Sequence, residues 1–229
     1  YQNKGDRTLT DVAEELAVTG PESRSFVPWF FDFDNDGWLD LFVGAFEANI
    51  SDIAADYLGE DHDGVSPRLY RNDGGSFTDI AREAGLDHPY LPMGANFGDL
   101  DNDGYLDIYL TTGDPEYQTL TPNIMLRNDA GHFVDISARV GEDLRMRAVS
   151  RGLASADFDD DGDVDLLVTN NNGPVSLLRN DGGNTGNWLS VRLRGRAANR
   201  DGIGARIEVW SGARRMVRER TSGGSYLAS

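Results

Sequence analysis

Three features of this sequence predict an all-β fold. An acidic motif recurs three times, an apolar run follows each copy, and a second recurring element carries the residues of a tight hairpin. The motif D-x-D-x-D-G-x-x-D fills residues 32–40, 99–107 and 157–165, its copies starting 67 and 58 residues apart. The runs after it are Leu41-Phe42-Val43, Ile108-Tyr109-Leu110 and Leu166-Leu167-Val168, short enough for buried strands. The second element reads Leu69-Tyr-Arg-Asn-Asp-Gly-Gly-Ser-Phe-Thr-Asp-Ile80 and Leu126-Arg-Asn-Asp-Ala-Gly-His-Phe-Val-Asp-Ile136. Leu178-Arg-Asn-Asp-Gly-Gly183 is a third copy, and residues 1–12 form a fourth. Fixed-period self-similarity of this kind marks a repeat architecture.

Each element follows in order. An apolar approach, Phe26 to Phe31 or Met93 to Phe97, enters the acidic loop, and the apolar run leaves it as a strand. Asn and Gly then supply the positive-φ positions that a hairpin turn needs. Four short strands in roughly 50–60 residues make the unit of a β-propeller blade. Repeated four-strand units weigh against a sandwich. Ala81-Arg-Glu-Ala-Gly85 predicts a helical turn, and residues 48–66 are an extra stretch absent from the second repeat. The expectation is a partial propeller of about three and a half blades over residues 1–186, then a small basic β module over 187–229. In that module Arg192, Arg194 and Arg196 alternate with Val191 and Leu193, the pattern of a half-buried strand.

Charge excludes several functions. The 229 residues carry a formal charge of −18, which disfavours nucleic acid and anionic membranes as partners. The charge is divided: residues 1–186 hold 36 acidic and 12 basic side chains, whereas residues 187–229 hold nine Arg and three acids. Such asymmetry marks a change of module. There is no cysteine, so disulfides, thiolate metal sites and Cys nucleophiles are excluded. No apolar run reaches the roughly 18 residues of a membrane span.

The acidic loops point to oxygen-ligated metal. Carboxylates at loop positions 1, 3 and 5 fall to one side of a tight turn, and Gly at position 6 lets the chain reverse. The carbonyl at position 7 turns inward and Asp at position 9 closes the cage. Six or more oxygen ligands suit Ca²⁺ rather than Zn²⁺ or Cu²⁺, with Mg²⁺ second. An EF-hand needs an acid at position 12, where this chain has Val43, Leu110 and Val168. Asp and Gly also dominate solvated turns, but one such turn explains a single copy, not three. Four carboxylates within nine residues repel one another unless a cation offsets them.

The loops, above all Asn96-Phe97-Gly98-Asp99-Leu-Asp-Asn-Asp-Gly104, resemble the FG-GAP/VCBS repeats of integrin-type propellers. The tail, Asn187-Trp-Leu-Ser-Val-Arg-Leu-Arg-Gly195 and then Asn199-Arg-Asp-Gly-Ile-Gly-Ala-Arg206, resembles the ASPIC/UnbV module of the cartilage acidic protein-like family. The first and third loops have Phe30-Phe31 and Ser155-Ala156 where the pattern has Phe-Gly, and the family tail runs longer than this one. The resemblance implies about three Ca²⁺ ions held at loop positions 1, 3, 5, 7 (by the carbonyl) and 9. In this chain those are Asp32, Asp34, Asp36, Trp38 and Asp40; Asp99, Asp101, Asp103, Tyr105 and Asp107; and Asp157, Asp159, Asp161, Asp163 and Asp165. It also implies an extracellular or surface location, the periplasm included, with a role in adhesion or partner binding.

Other signals are weaker. His62, in Glu60-Asp-His-Asp-Gly64, is either an extra metal ligand or a polar loop tip, and His132 reads as a turn residue. No nucleophile elbow, zincin motif or phosphate loop is present. Glu47, Glu60 and Glu116 are the acids left for a glycosidase pair. Trp29, Trp38, Tyr57, Tyr90 and Tyr117 are candidates for a sugar-stacking face, although Trp38 and Tyr105 read better as packing against neighbouring blades. The expectation is a non-enzymatic interaction, adhesion or assembly protein with a protein or glycan partner. A calcium-dependent polysaccharide-acting enzyme is the alternative. Three and a half blades fall short of the four to eight of a closed ring, so completion by further chain or by self-assembly is expected.

Overall fold

The computed structural model describes residues 1–20, 23–113, 120–185, 187–196 and 199–222. Its strands form five separate antiparallel sheets. The first pairs β1 (Gln2–Asn3) with β2 (Leu9–Thr10), a lone hairpin. A four-stranded meander follows: β3 (Ser25–Phe31), β4 (Asp40–Ala45), β5 (Arg68–Asn72) and β6 (Phe77–Asp79). The next repeats it with β7 (Pro92–Gly98), β8 (Asp107–Thr112), β9 (Ile124–Asp129) and β10 (His132–Asp135). The fourth sheet, the third blade, has three strands, β11 (Ser150–Ala156), β12 (Asp165–Asn170) and β13 (Ser176–Leu178). The last is a hairpin of β14 (Arg206–Ser211) and β15 (Arg214–Glu219). The all-β, partly built propeller expected from the repeats is what the chain forms.

β3, β7 and β11 are the first strands of their blades, and β7 packs against both β3 and β11. Each of the three has a register shift near its start. The main core sits between the first two blades: Trp29, Phe31, Phe33, Phe42 and Leu69 meet Ile108, Leu126 and Phe133. Trp29 stacks on Phe42 with ring centroids 4.4 Å apart. A smaller core joins blades two and three through Leu100, Tyr109, Leu153, Leu166 and Val168.

Among the described residues no further blade packs on the outer side of the third, and equivalent positions reflect it. Position 2 of the acidic loop is Phe33 at 2% exposure, Leu100 at 5%, and Phe158 at 67%. In the strand after the loop, Phe42 and Tyr109 are buried whereas Leu167 is exposed, as are Val175 and Leu177 beside it.

Several expectations need correction. The stretch over 48–66 contains a helix, α1 (Ile50–Leu58), closed by a capping box between Asn49 and Asp52 and by left-handed Gly59. Residues 187–196 form no strand, so the alternation of Arg192, Arg194 and Arg196 with Val191 and Leu193 does not mark one; Val191 stays exposed. That segment joins none of the sheets, and the β module is built from the 206–219 hairpin instead. The third hairpin copy also forms no outer strand among the described residues. Where the first two repeats have Phe77-Thr-Asp or His132-Phe-Val-Asp, the third has Gly183-Asn-Thr, which folds as a 3-10 turn. Trp38 is half exposed and lies over Gly74 of its own blade. The helical turn at 81–85 forms, with Leu86 N–H donating to Ala81 O at 2.7 Å.

Candidate metal centres

The three acidic loops fold alike because each carries two left-handed residues. Position 4 (Asn35, Asn102, Asp160) has φ between 55° and 60°, and position 6 (Gly37, Gly104, Gly162) between 93° and 97°. Asn and Asp tolerate the first, and glycine takes the second without strain. The turn then wraps its own carboxylates. Position 1 accepts from the position 6 amide: Gly37 N to Asp32 Oδ2 is 2.9 Å, Gly104 N to Asp99 Oδ2 3.1 Å, and Gly162 N to Asp157 Oδ2 3.0 Å. Position 5 accepts from position 7: Trp38 N to Asp36 Oδ1 is 2.7 Å, Tyr105 N to Asp103 Oδ1 2.8 Å, and Asp163 N to Asp161 Oδ1 2.9 Å.

Carboxylates converge in every loop. One oxygen each from Asp32, Asp34 and Asp36 lies within 4.8 Å of the others, and the same holds for Asp99, Asp101 and Asp107 and for Asp157, Asp159 and Asp165. These three clusters can hold a metal ion. Asp32 Oδ1 and Asp99 Oδ1 are buried with no hydrogen-bond partner, which fits oxygens reserved for a cation. Asp40, Asp103 and Asp161 stand outside these sets of three. Trp38, Tyr105 and Asp163, the position 7 residues, are brought to each loop through the amide contacts above. His62 joins no such set and instead approaches Asp56 on α1 at 3.4 Å. Glu116 and Tyr117 lie outside the described residues.

Position 9 has a second task. Its two oxygens accept one amide from loop position 2 and one from the hairpin Asn. Asp40 takes Phe33 N at 3.2 Å and Asn72 N at 2.9 Å; Asp107 takes Leu100 N and Asn128 N, both at 2.8 Å; Asp165 takes Phe158 N and Asn180 N, both at 2.8 Å. Burial pushes Asp40 and Asp107 up to about 7. Burial, then the charges of Asp34 and Asp36, raises Asp32 to about 6. The first two loops therefore hold carboxylates close to protonation at neutral pH, a state that a bound cation reverses.

Two residue sets escaped the sequence reading. The hairpin asparagines buttress the loops: Asn72 Nδ2 donates to Leu39 O at 3.0 Å, Asn128 to Leu106 O at 3.0 Å and Phe33 O at 2.8 Å, and Asn180 to Leu100 O at 2.7 Å. Position 4 ties blade to blade. Asn35 Nδ2 donates to Gly104 O at 2.8 Å, and Asn102 Nδ2 to Gly162 O at 3.2 Å and Gly183 O at 3.1 Å. The hairpin set stood in all three repeats as Asn and position 4 as Asn in the first two, and their recurrence was the available signal.

The basic tail crosses all three loops at position 6. A Cβ at Gly162 would overlap the Trp188 indole; at Gly104 it would meet Met216, and at Gly37 the guanidinium groups of Arg206 and Arg215. Arg206 donates to Gly37 O, Arg215 to Asp36 O at 2.9 Å, and Arg214 to Asp103 O. Arg218 donates to Asp99 Oδ2 at 3.0 Å, and Val217 N–H to Asn35 Oδ1 at 3.0 Å.

Comparison with known proteins accords with this architecture. Residues 52–110, which include the second loop, match the model of the FG-GAP-like repeat, and residues 195–229 match that of ASPIC and UnbV. Over those two spans the chain is similar to an FG-GAP-like repeat and to ASPIC and UnbV. It is similar to cartilage acidic protein 1 of Homo sapiens, 26% identical over 202 residues. That alignment covers 86% of this chain and 28% of the human protein. The Mus musculus protein of the same name is 25% identical over 202 residues, 86% of this chain and 29% of the relative. The Xenopus tropicalis protein is 26% identical over 199 residues, 83% and 28%. The chain thus spans a little over a quarter of the length of these relatives. The arginines touching the first two loops, from Arg206 to Arg218, lie within the stretch that matches ASPIC and UnbV.

Proposed function

We propose that this chain is a calcium-binding β-propeller segment that acts outside the cell, or at its surface, as a non-enzymatic interaction, adhesion or assembly module. The observation that carries the calcium reading is the buried, unpartnered oxygen of Asp32 and of Asp99, each in a cluster of three carboxylates. All-oxygen donors in a loop with a left-handed glycine suit a hard cation of flexible coordination, which is Ca²⁺ before Mg²⁺. The ligands are the acids and the position 7 carbonyls of residues 32–40, 99–107 and 157–165. Calcium there supplies charge neutralisation and stiffens loops that already carry the inter-blade ties.

The interaction role rests on the uncovered face of the third blade. Phe158, Leu167, Val175 and Leu177 are exposed where the equivalent side chains of earlier blades are packed. A further blade, from more of the polypeptide or from another copy, covers such a face in a propeller, and a protein or glycan partner is engaged by the assembled surface. No helix among the described residues is long and apolar enough to cross a membrane. An extracellular setting, where calcium is abundant, suits loops of this composition.

The test pairs melting curves, with and without chelator, with a saccharide-cleavage screen. A calcium-dependent rise in melting temperature with no cleavage supports the proposal. A curve indifferent to calcium overturns its metal part, and calcium-dependent cleavage overturns its non-enzymatic part.

A further inference from the structure

Away from the acidic loops, α1 and the second blade line an open cavity of about 480 Å³. Small-molecule sites fall in the range of about 300–1,000 Å³. The wall is mainly apolar, with Ile50 and Ile53 from α1 facing Leu120, Pro122 and Ile124. Two tyrosines, Tyr57 on α1 and Tyr90, add aromatic surface, and the polar groups are few: Asp56, His88, Asp135 and Arg147, with Thr112 and Thr121.

We propose that this cavity binds an organic cation, an amine or quaternary ammonium group carrying an apolar or aromatic body. Aromatic faces attract such cations, and an apolar wall receives the rest of the molecule. Two carboxylates supply the counter-charge, and each is held in place. Asp56 is fixed by His88 Nδ1 at 2.8 Å and faces His62 Nε2 at 3.4 Å. His88 in turn sits edge-on to Tyr90, with ring centroids 6.1 Å apart. Asp135 receives the Ser137 amide and hydroxyl on Oδ1, which leaves Oδ2 without a hydrogen-bond partner among the described residues. Burial, and then the Asp135 charge, hold the Tyr90 phenol above its usual range, so it stays a neutral hydroxyl next to a carboxylate.

Competing ligand classes fit less well. The Thr112 hydroxyl is engaged with Thr121 at 2.8 Å and Pro122 O at 2.7 Å, so these threonines offer little to the many hydroxyls of a saccharide. An anion would meet two carboxylates against one cation, Arg147, which is exposed and makes no ion pair among the described residues. The chain's charge of −18 also concentrates cations around it. This inference does not depend on the calcium reading.

The experiment titrates the full chain, calcium-saturated, with benzyltrimethylammonium, benzyl alcohol, benzoate and methyl glucoside, read by calorimetry. The ammonium probe should bind about tenfold more tightly than the alcohol, with no binding of benzoate or glucoside. Asp135→Asn and Tyr57→Ala should each weaken the ammonium probe by about tenfold, whereas Arg147→Gln should tighten it a few-fold. Tyr57 is 73% exposed, so its loss spares the core; matching melting temperatures would confirm that all three variants are folded. Equal binding of alcohol or benzoate, preference for the glucoside, absence of ammonium binding, or indifference to Asp135→Asn would each overturn the proposal.

Discussion

Arg218 of the basic hairpin pairs with Asp99, the first carboxylate of the second acidic loop, at 3.0 Å. The guanidinium takes Asp99 Oδ2, which also accepts the Gly104 amide, while the buried Oδ1 stays without a partner. One carboxylate thus serves the hairpin with one oxygen and faces the candidate metal position with the other. The charge division seen along the chain is partly met inside the molecule, because Arg206, Arg214, Arg215 and Arg218 of the tail rest on the first two acidic loops.

Replacing Arg218 separates these two roles. Arg218→Gln removes a partly buried charged hydrogen bond and should lower stability by about 1–2 kcal/mol in chelator. It also removes a positive charge beside the loop, so calcium affinity there should rise by about fivefold. Calorimetry on the variant checks both, and a fall in affinity would mean that positioning of Asp99 outweighs charge.

The inter-blade tie is tested at Asn102, a left-handed residue whose amide donates to Gly162 O, Gly183 O and Asp163 Oδ1. Asn102→Asp keeps the backbone preference but sets a carboxylate against three acceptors. Chemical denaturation should show a loss of about 2–4 kcal/mol in chelator, from unmade hydrogen bonds and charge repulsion. A loss under half a kcal/mol would mean the blades are held by their apolar cores alone.

Gly162 carries both a left-handed backbone and the Trp188 indole. Gly162→Ala should cost about 1–3 kcal/mol, and the displaced indole should shift tryptophan emission to the red. Unchanged emission would mean that the tail does not rest on the third loop in solution.

The raised carboxylates set a pH dependence. Asp40 and Asp107 sit at about 7 and Asp32 at about 6, above the ordinary Asp value in the unfolded chain. A raised folded-state pKa contributes stability that is present below about pH 4 and is lost as pH climbs through about 6–7. Metal-free protein should therefore melt at lower temperature at pH 8 than at pH 5.5, with respect to these groups. Calcium should remove most of that loss, since it binds the ionised form and displaces protons. Melting curves at the two pH values, with chelator and with calcium, measure it.

Much of this was legible because repetition exposes it. The blades announced themselves through the acidic motif and the Asn-Asp-Gly turn, each at a steady distance from an apolar strand. The α1 helix stayed hidden because its stretch occurs once, is rich in acids and reads as loop. Its signals were the Asn49–Asp52 box and Gly59. The expected strand at 187–196 is absent for a different reason: alternation describes a strand only once the segment pairs into a sheet, and this one pairs with none. Asp40, Asp107 and Asp165 read as cage-closing ligands, yet their spacing could not show that both oxygens would also be spent on backbone amides. Such bonds depend on the hairpin's return to the loop, which is tertiary.

The most direct measurement counts the ions. Calorimetric titration of the chelated full chain with Ca²⁺, repeated with Asp101→Ala, addresses all three loops together. The account predicts about three Ca²⁺ per chain, falling by one in the variant, with Mg²⁺ bound more weakly. Saturation at zero or one ion, or an unchanged count in the variant, would contradict it.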